Sequence, residues 1–143
     1  QLFTSLFRIR KIHKTYLAIV HGKISKDLKI LKDELVYYES KKKIVQKAIS
    51  YIKTLKISDN YSLLELNPIT GRKHQLRKQL YNIGYPIVGD NKYFIQNIKK
   101  KQNQNLKLHA FKLKFMIKNV KYSFKVNYNS DFDSFLKKYF KSF

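Results

Sequence analysis

The sequence predicts an α+β fold, a mainly antiparallel mixed β-sheet with flanking helices. Two stretches have the pattern of β-hairpins, at 47–66 and 106–128. Two others carry apolar residues at helical spacing, at 72–83 and 131–143. Because the chain has 143 residues, we expect residues 1–143 to form a single domain.

The first part of the chain is predicted to contain a short helix and a buried strand. A helix over 2–10 would place four apolar residues on one face: Leu2, Phe3, Leu6 and Phe7. The segment KTYLAIVHGKI at 14–24 is a mostly apolar strand, buried on both faces and ending at Gly22. Residues 26–43 are polar, basic and weakly patterned, and we interpret them as a surface excursion.

The first hairpin pattern joins two strands by a short polar turn. Residues 47–57 are rich in β-forming residues, and a second strand follows at 61–66. Between them, residues 58–60 read Ser-Asp-Asn, which is typical of a turn.

The second hairpin pattern runs over 106–117 and 120–128, turning at Lys118-Asn119. An exposed loop is expected before it, at 97–105. Alternation in its second strand predicts a half-buried strand with one apolar face, formed by Val120, Tyr122, Phe124, Val126 and Tyr128.

The last segment has the pattern of an amphipathic helix capped by Ser130, with Asp133 in its first turn. Its apolar stripe, expected to pack against the core, consists of Phe132, Phe135, Leu136, Tyr139, Phe140 and Phe143.

Composition excludes several classes of protein. The absence of cysteine rules out disulfides and cysteine-based zinc sites, and four scattered histidines give no metal-ligand spacing. No apolar run reaches the length of a transmembrane helix. The chain starts without Met or a signal peptide, so we expect a fragment or processed form located in the cytoplasm, or alternatively in an organelle matrix.

The charge predicts a polyanionic partner. Lys plus Arg number 31 against 9 acidic residues, a net charge of +22. Such a surface attracts nucleic acid in a salt-dependent way. The competing interpretation is a biased composition that enriches lysine on solvated faces. Only four residues are arginine, and the pair Arg72 and Arg77 within one motif suggests a need for the bidentate guanidinium.

The central stretch 67–93 is the candidate site. It predicts a helix with Thr70 as N-cap and Gly84 as its stop, and Gly71 would allow close backbone approach. With Arg72, this helix start would attract a phosphate or carboxylate. The predicted apolar stripe comprises Leu76, Leu80 and Ile83, and the polar face comprises His74, Arg77, Lys78 and Tyr81.

A basic amphipathic helix is also often only a solvated face, and this alternative stays open for the segment. Asp90 follows in a Gly-Asp pair. We interpret it as a residue that caps a helix or fixes a loop, with a catalytic role as the alternative.

Three segments carry a family resemblance. NPITGRKHQLRKQLYNIGYPIVGDNKY (67–93) resembles the conserved block of RluA-type RNA pseudouridine synthases. KTYLAIVHG (14–22) resembles the strand with the active-site tyrosine, and LHAFKLKF (108–115) resembles a later strand. The ribosomal large-subunit branch, the RluC and RluD type, is the most similar. Tyr85 departs from the pattern, since a histidine is common there.

The resemblance implies a cofactor-free, metal-free isomerisation of a flipped uridine, and a pseudouridine synthase catalytic-domain fold that is incomplete at its N-terminus. Tyr16 would stack on the base and help to remove its carbon-5 proton, and Arg77 would orient the catalytic aspartate. The RNA-binding residues would be Arg72, His74, Lys73, Lys78, Thr70 and Gly71. RNA, in particular ribosomal RNA, is the expected partner of a monomer.

One departure affects activity. The family's catalytic aspartate lies in a His-Arg-Leu-Asp motif upstream of the tyrosine strand, and no aspartate here matches it. The isolated chain is therefore expected to be inactive. The alternative is a non-catalytic RNA-binding or ribosome-associated protein with this fold. A DNA-binding helix-turn-helix protein is weaker, because the predicted β content is high.

Overall fold

A computed structural model describes residues 10–96 and 105–140, and these form one six-stranded sheet with two helices. The strand order is β2-β3-β4-β1-β5-β6, and every neighbouring pair is antiparallel. The predicted α+β class is confirmed. The elements are β1 Arg10–His21, β2 Ile30–Glu39, β3 Lys42–Ile57, β4 Tyr61–Pro68, α1 Gln75–Asn82, β5 Leu108–Ile117, β6 Val120–Lys125 and α2 Ser130–Tyr139.

Strand β1 is the centre of the sheet and, as predicted, is buried on both faces. It pairs with β4 on one side and β5 on the other. Ala18 and Val20 pack in the core beneath α1, whereas Leu17 and Ile19 pack beneath α2. The sheet therefore has an α1 face and an α2 face.

Helix α1 covers the first of these faces with a narrower apolar stripe than predicted. Leu76 and Leu80 are buried, but Ile83, at the helix end, is 37% exposed. The predicted stop is confirmed, because Gly84 has a φ of 88° and donates its N–H to the Tyr81 carbonyl at 3.0 Å.

Helix α2 covers the other face with the predicted aromatic stripe. Phe132, Phe135 and Phe140 are buried. The predicted cap is one residue off: Asn129 rather than Ser130 caps the helix, and its Oδ1 accepts from the Phe132 N–H at 2.8 Å. The predicted helix at 2–10 falls outside the described residues apart from Arg10, which lies in β1, and Phe143 falls outside them too.

The predicted surface excursion at 26–43 is wrong, because it contains strand β2. This strand pairs with β3 from Ile30 to Glu39. Only Leu31 and Leu35 are buried among its ten residues, since it is an edge strand. Two buried positions four residues apart do not produce the alternation that identifies a strand.

The second hairpin and its turn are confirmed, but the predicted half-burial of β6 is wrong. Lys118 and Asn119 both have positive φ, 46° and 67°, as a tight hairpin turn requires. All six residues of β6 are exposed, and Phe124 remains 54% exposed. Helix α2 packs over β1 and the start of β5 and does not extend over β6.

Two glycines give a matched test of this fold. Gly89 has a φ of 84°, and an added Cβ would lie 2.0 Å from the Asn105 carbonyl oxygen. We expect Gly89→Ala to lower the free energy of unfolding by about 3 kcal/mol or more. Gly71→Ala should change it by less than about 0.5 kcal/mol, since nothing lies within 4 Å of the added atom. Urea unfolding of both variants checks this; equal losses would contradict it.

Candidate functional site

A cavity of about 420 Å³ opens on the α1 face of the sheet. It lies between the first half of β1, the end of β4 and the start of α1. Six predicted site residues line it, namely Tyr16, Thr70, Gly71, Arg72, His74 and Arg77. Its other lining residues are Ile12, Lys14, Pro68, Ile69, Gln75, Leu76 and Leu108. Among the described residues that line the cavity, there are cationic and aromatic side chains but no carboxylate.

Two buried glutamines hold α1 against β3. Gln75 Nε2 donates to the Ile49 carbonyl at 3.0 Å and to Ser50 Oγ at 2.8 Å. Gln79 Oε1 accepts from Ser50 Oγ at 2.6 Å, and its Nε2 donates to the Leu31 and Ala48 carbonyls. These amides fix the height and rotation of the helix that carries the site.

Neither glutamine was predicted from the sequence to be buried or to position the site. The available signal was their spacing of four residues, each directly before a leucine of the apolar stripe. A long polar side chain at such a position most often reaches solvent. The two glutamines are buried because carbonyls of β2 and β3 and the Ser50 hydroxyl, all distant in sequence, satisfy their amides.

The helix starts later than predicted, so Thr70 is not its N-cap. The cap position is His74, whose backbone is left-handed with a φ of 52°. Thr70 instead fixes the preceding loop: its Oγ1 donates to Gln75 Oε1 at 2.6 Å and accepts from the Ile49 N–H at 2.9 Å. Gln75 Oε1 also accepts from the Arg72 N–H at 3.0 Å, as a capping side chain would.

The prediction that Gly71 permits close backbone approach is also wrong, since no atom lies within 4 Å of a Cβ built there. Arg72 lies just before the start of α1. Its Nε donates to the Lys47 carbonyl at 2.9 Å, which holds the guanidinium at the cavity wall.

Arg77 and Asp90 form a bidentate ion pair. Arg77 Nε donates to Asp90 Oδ2 at 2.8 Å and Nη2 donates to Oδ1 at 2.7 Å. The carboxylate is fully buried, and it also accepts the backbone N–H groups of Lys92 and Tyr93 at 3.0 Å. Asp90 therefore fixes a loop, as interpreted from sequence. Arg77 lines the same cavity as Tyr16 and is only 18% exposed.

The contacts between Asp90 and Arg77 shift the pKa of both groups. Burial alone raises the pKa of Asp90, but the hydrogen bonds from Arg77 and the two backbone N–H groups outweigh it and hold the pKa below its ordinary value. The hydrogen bond to Asp90 raises the pKa of Arg77. Both groups are thus charged across the physiological range.

His74 is held by the same loop. Its Nδ1 lies 3.0 Å from the Tyr93 hydroxyl, and the two rings meet edge to face. Burial and the charges of Arg77, Lys92 and Lys73 lower the pKa of His74. The imidazole is therefore neutral at pH 7 and offers the cavity a hydrogen-bonding group rather than a charge.

Two predicted RNA-binding lysines do not line the cavity. Lys78 Nζ donates to the Val36 carbonyl at 3.2 Å and lies 3.7 Å from the centre of the Tyr37 ring. The Tyr37 hydroxyl donates to the Lys73 carbonyl at 2.6 Å. These contacts connect α1 to β2, so Lys78 serves packing as well as charge.

Residues 1–82 match the family model described as RNA pseudouridylate synthase. The chain belongs to the RNA pseudouridylate synthase family. The resemblance to RluA-type enzymes predicted from sequence is thereby confirmed. The match begins before β1 and ends at the last residue of α1, so it includes the strand of Tyr16 and the residue Arg77.

Curated members of the family include two informative relatives. The tRNA pseudouridine synthase C of Haemophilus ducreyi is 34% identical over 110 residues, which cover 65% of this chain and 45% of that protein. The ribosomal large subunit pseudouridine synthase C of Buchnera aphidicola is 40% identical over 121 residues, covering 76% of this chain and 38% of that protein. The chain thus spans less than half the length of these relatives.

A solved structure supports the fold. Human RNA Pseudouridylate Synthase Domain Containing 1 superposes with a TM-score of 0.73 at 22% identity, covering 86% of this chain and 58% of that one. Within the described ranges no group of three or more potential metal-ligating residues occurs. The same part of the chain has no helix long and apolar enough to cross a membrane.

Removing the Asp90 charge tests the role of the ion pair. Asp90→Asn leaves Arg77 without its buried counter-charge, and we expect a loss of about 2–4 kcal/mol in the free energy of unfolding. The control is Asp133→Asn, because the Asp133–Lys137 pair is exposed (42% and 78%). It should cost less than about 1 kcal/mol. Denaturant titration measures both; a mild Asp90→Asn variant would refute the role.

The pH dependence of stability follows from the lowered pKa of Asp90. Its contribution is fully present above the ordinary aspartate pKa of 3.8 and is lost as pH falls from there through the folded-state pKa. The stability difference between the natural chain and Asp90→Asn should therefore shrink in acid. Unfolding measured from about pH 6 to about pH 2 checks this. A difference that stays constant or grows in acid would contradict it.

Proposed function

We propose that this chain is the C-terminal part of the catalytic domain of an RNA pseudouridine synthase. The whole enzyme would isomerise specific uridines to pseudouridine by base flipping, without a cofactor. The observation that carries the proposal is the meeting of Tyr16 and Arg77 at one cavity in a chain of this family.

The proposed chemistry assigns separate roles to these two residues. The glycosidic bond of the flipped uridine breaks, the base rotates, and a new bond forms between the ribose and carbon 5. Tyr16 would stack on the base and help to take the proton that leaves carbon 5. Asp90 occupies Nε and Nη2 of Arg77. We assign the remaining Nη1 edge to the catalytic aspartate, which a segment preceding Gln1 would supply.

The proposed partner is RNA, with ribosomal RNA as the specific target. Arg72 and His74 would contact it at the rim of the cavity, with Thr70 and Gly71 beside them. Lys73 and Lys78 would add charge at greater distance. The net charge of +22 supports a strong, salt-dependent phosphate contribution. We further propose a monomeric protein of the cytoplasm or an organelle matrix.

A second candidate is a non-catalytic RNA-binding protein. It is favoured by the described lining of the cavity, which holds no aspartate or glutamate beside Tyr16. Asp90 is the acidic residue of the stretch 67–93, but it is buried and accepts hydrogen bonds from Arg77 and two backbone N–H groups.

Pseudouridine mapping distinguishes the two candidates. We expect no product when ribosomal RNA is incubated with the isolated 143-residue chain, and product with the protein translated from the complete gene. In that protein Tyr16→Phe should lower the rate by about 100-fold or more, because a positioned proton acceptor is lost. Tyr38→Phe is the control, since Tyr38 is 74% exposed on β2.

Pseudouridine formed by the isolated chain would refute the prediction that this chain lacks the catalytic aspartate. Full activity of Tyr16→Phe would refute the role of Tyr16. RNA binding by the complete protein without any product would favour the second candidate.

A further inference from the structure

The β5–β6 hairpin presents an exposed apolar surface, which we call the aromatic face. Directly paired residues of antiparallel strands share a face of the sheet. The pairs Leu113–Phe124, Phe115–Tyr122 and Ile117–Val120 therefore lie together, and these six residues define the aromatic face. Tyr122 is 40% exposed, Phe124 54% and Val120 53%.

The rings of the aromatic face are nearly parallel. The Phe115 ring lies 5.2 Å from that of Tyr122, at an interplanar angle of 14°. It lies 5.9 Å from that of Phe124, at 19°. The result is a group of nearly parallel rings on the last two strands at one edge of the sheet.

The aromatic face is on the same side of the sheet as the cavity. Leu113 pairs with Lys14, and Lys14 lines the cavity together with Ile12. A β-bulge at Phe111 separates the two halves of β5, because Thr15 pairs with Lys112 whereas Tyr16 pairs with Ala110.

The bulge also explains what lies on the opposite side. Phe111 packs into the core beneath α2. The Nζ atoms of Lys112 and Lys125 lie 5.3 Å and 5.0 Å from the centre of its ring. The four lysines of strands β5 and β6 are thus on the α2 face, behind the aromatic face: Lys112, Lys114, Lys121 and Lys125.

Charge decides which partner fits. The β5–β6 hairpin, residues 108–125, includes five lysines and no acidic residue. Single-stranded nucleic acid is bound by aromatic platforms set in a positive field. The lysines lie about one sheet thickness from an RNA strand on the other face, a distance on the order of the Debye length, so they attract it most strongly at low salt.

We propose that the aromatic face binds single-stranded RNA next to the target uridine by base stacking. RNA entering the cavity would continue across Lys14 onto Phe124 and Tyr122. Every base has a π-surface, so this platform adds affinity with little sequence preference. The inference rests on the proposed function insofar as RNA is the substrate.

The test is direct RNA binding by the 143-residue chain. Fluorescence anisotropy would follow a labelled uridine-rich oligonucleotide of about twelve nucleotides. We expect Tyr122→Ala and Phe124→Ala each to weaken binding about 5- to 100-fold, the loss of one base stack. Tyr122→Phe should retain affinity, because it keeps the ring.

Tyr38→Ala is the matched control, as an exposed tyrosine at the other end of the sheet, and it should bind like the natural chain. Sedimentation velocity of the same variants reports self-association. Unchanged RNA affinity in both alanine variants would overturn the proposal, as would absence of RNA binding by the natural chain. Loss of a dimer instead of RNA affinity would show that the face joins two copies.

Pseudouridine formation is a separate readout. If Tyr122→Ala and Phe124→Ala weaken RNA binding by the 143-residue chain while the protein translated from the complete gene makes no pseudouridine, the RNA platform is supported and the catalytic function is contradicted. If the complete protein makes pseudouridine and the two alanine variants bind RNA like the natural chain, the catalytic function is supported and the RNA platform is contradicted.

Discussion

The Arg77–Asp90 ion pair fixes the geometry of the candidate site. It joins α1 to the loop that follows it, with both oxygens of a fully buried carboxylate engaged. The same carboxylate accepts the N–H of Tyr93, and the Tyr93 hydroxyl in turn contacts His74. One acidic residue thereby determines the position of a cation and an imidazole at the cavity wall. Without it, Arg77 would carry an unpaired charge in a largely buried position.

This pairing also changes what Arg77 offers to a substrate or to a further carboxylate. Its charge is already balanced by Asp90, so its main contribution is a rigid, oriented N–H edge rather than net positive potential. The unbalanced charge at the cavity comes instead from Arg72 and Lys14. This division suits a site that must orient one group closely while attracting a phosphate backbone from a distance.

Local periodicity allowed much of this architecture to be predicted. The buried strand β1, both hairpins and the aromatic stripe of α2 depend on neighbouring residues in one segment, and the family motifs predicted site roles for Tyr16 and Arg77, which line one cavity. The features that were missed depend on distant partners. Strand β2 has only two buried residues, Leu31 and Leu35. Gln75 and Gln79 are buried because carbonyls of other strands accept their amides, and a single segment cannot reveal that.

The wrong prediction for β6 has a different physical cause, the β-bulge in β5. This bulge also places the aromatic face on the same side of the sheet as the cavity. The alternation of apolar and lysine residues correctly predicted a strand. Alternation does not show, however, whether a helix covers the apolar face of that strand. The bulge at Phe111 inverts the parity of β5, so that Phe111 enters the α2 core while Leu113 and Phe115 turn to the cavity side. The aromatic residues beyond the bulge consequently leave the α2 core and extend the surface that begins at Tyr16. A single extra residue in β5 therefore places the exposed rings and the cavity on one side of the sheet.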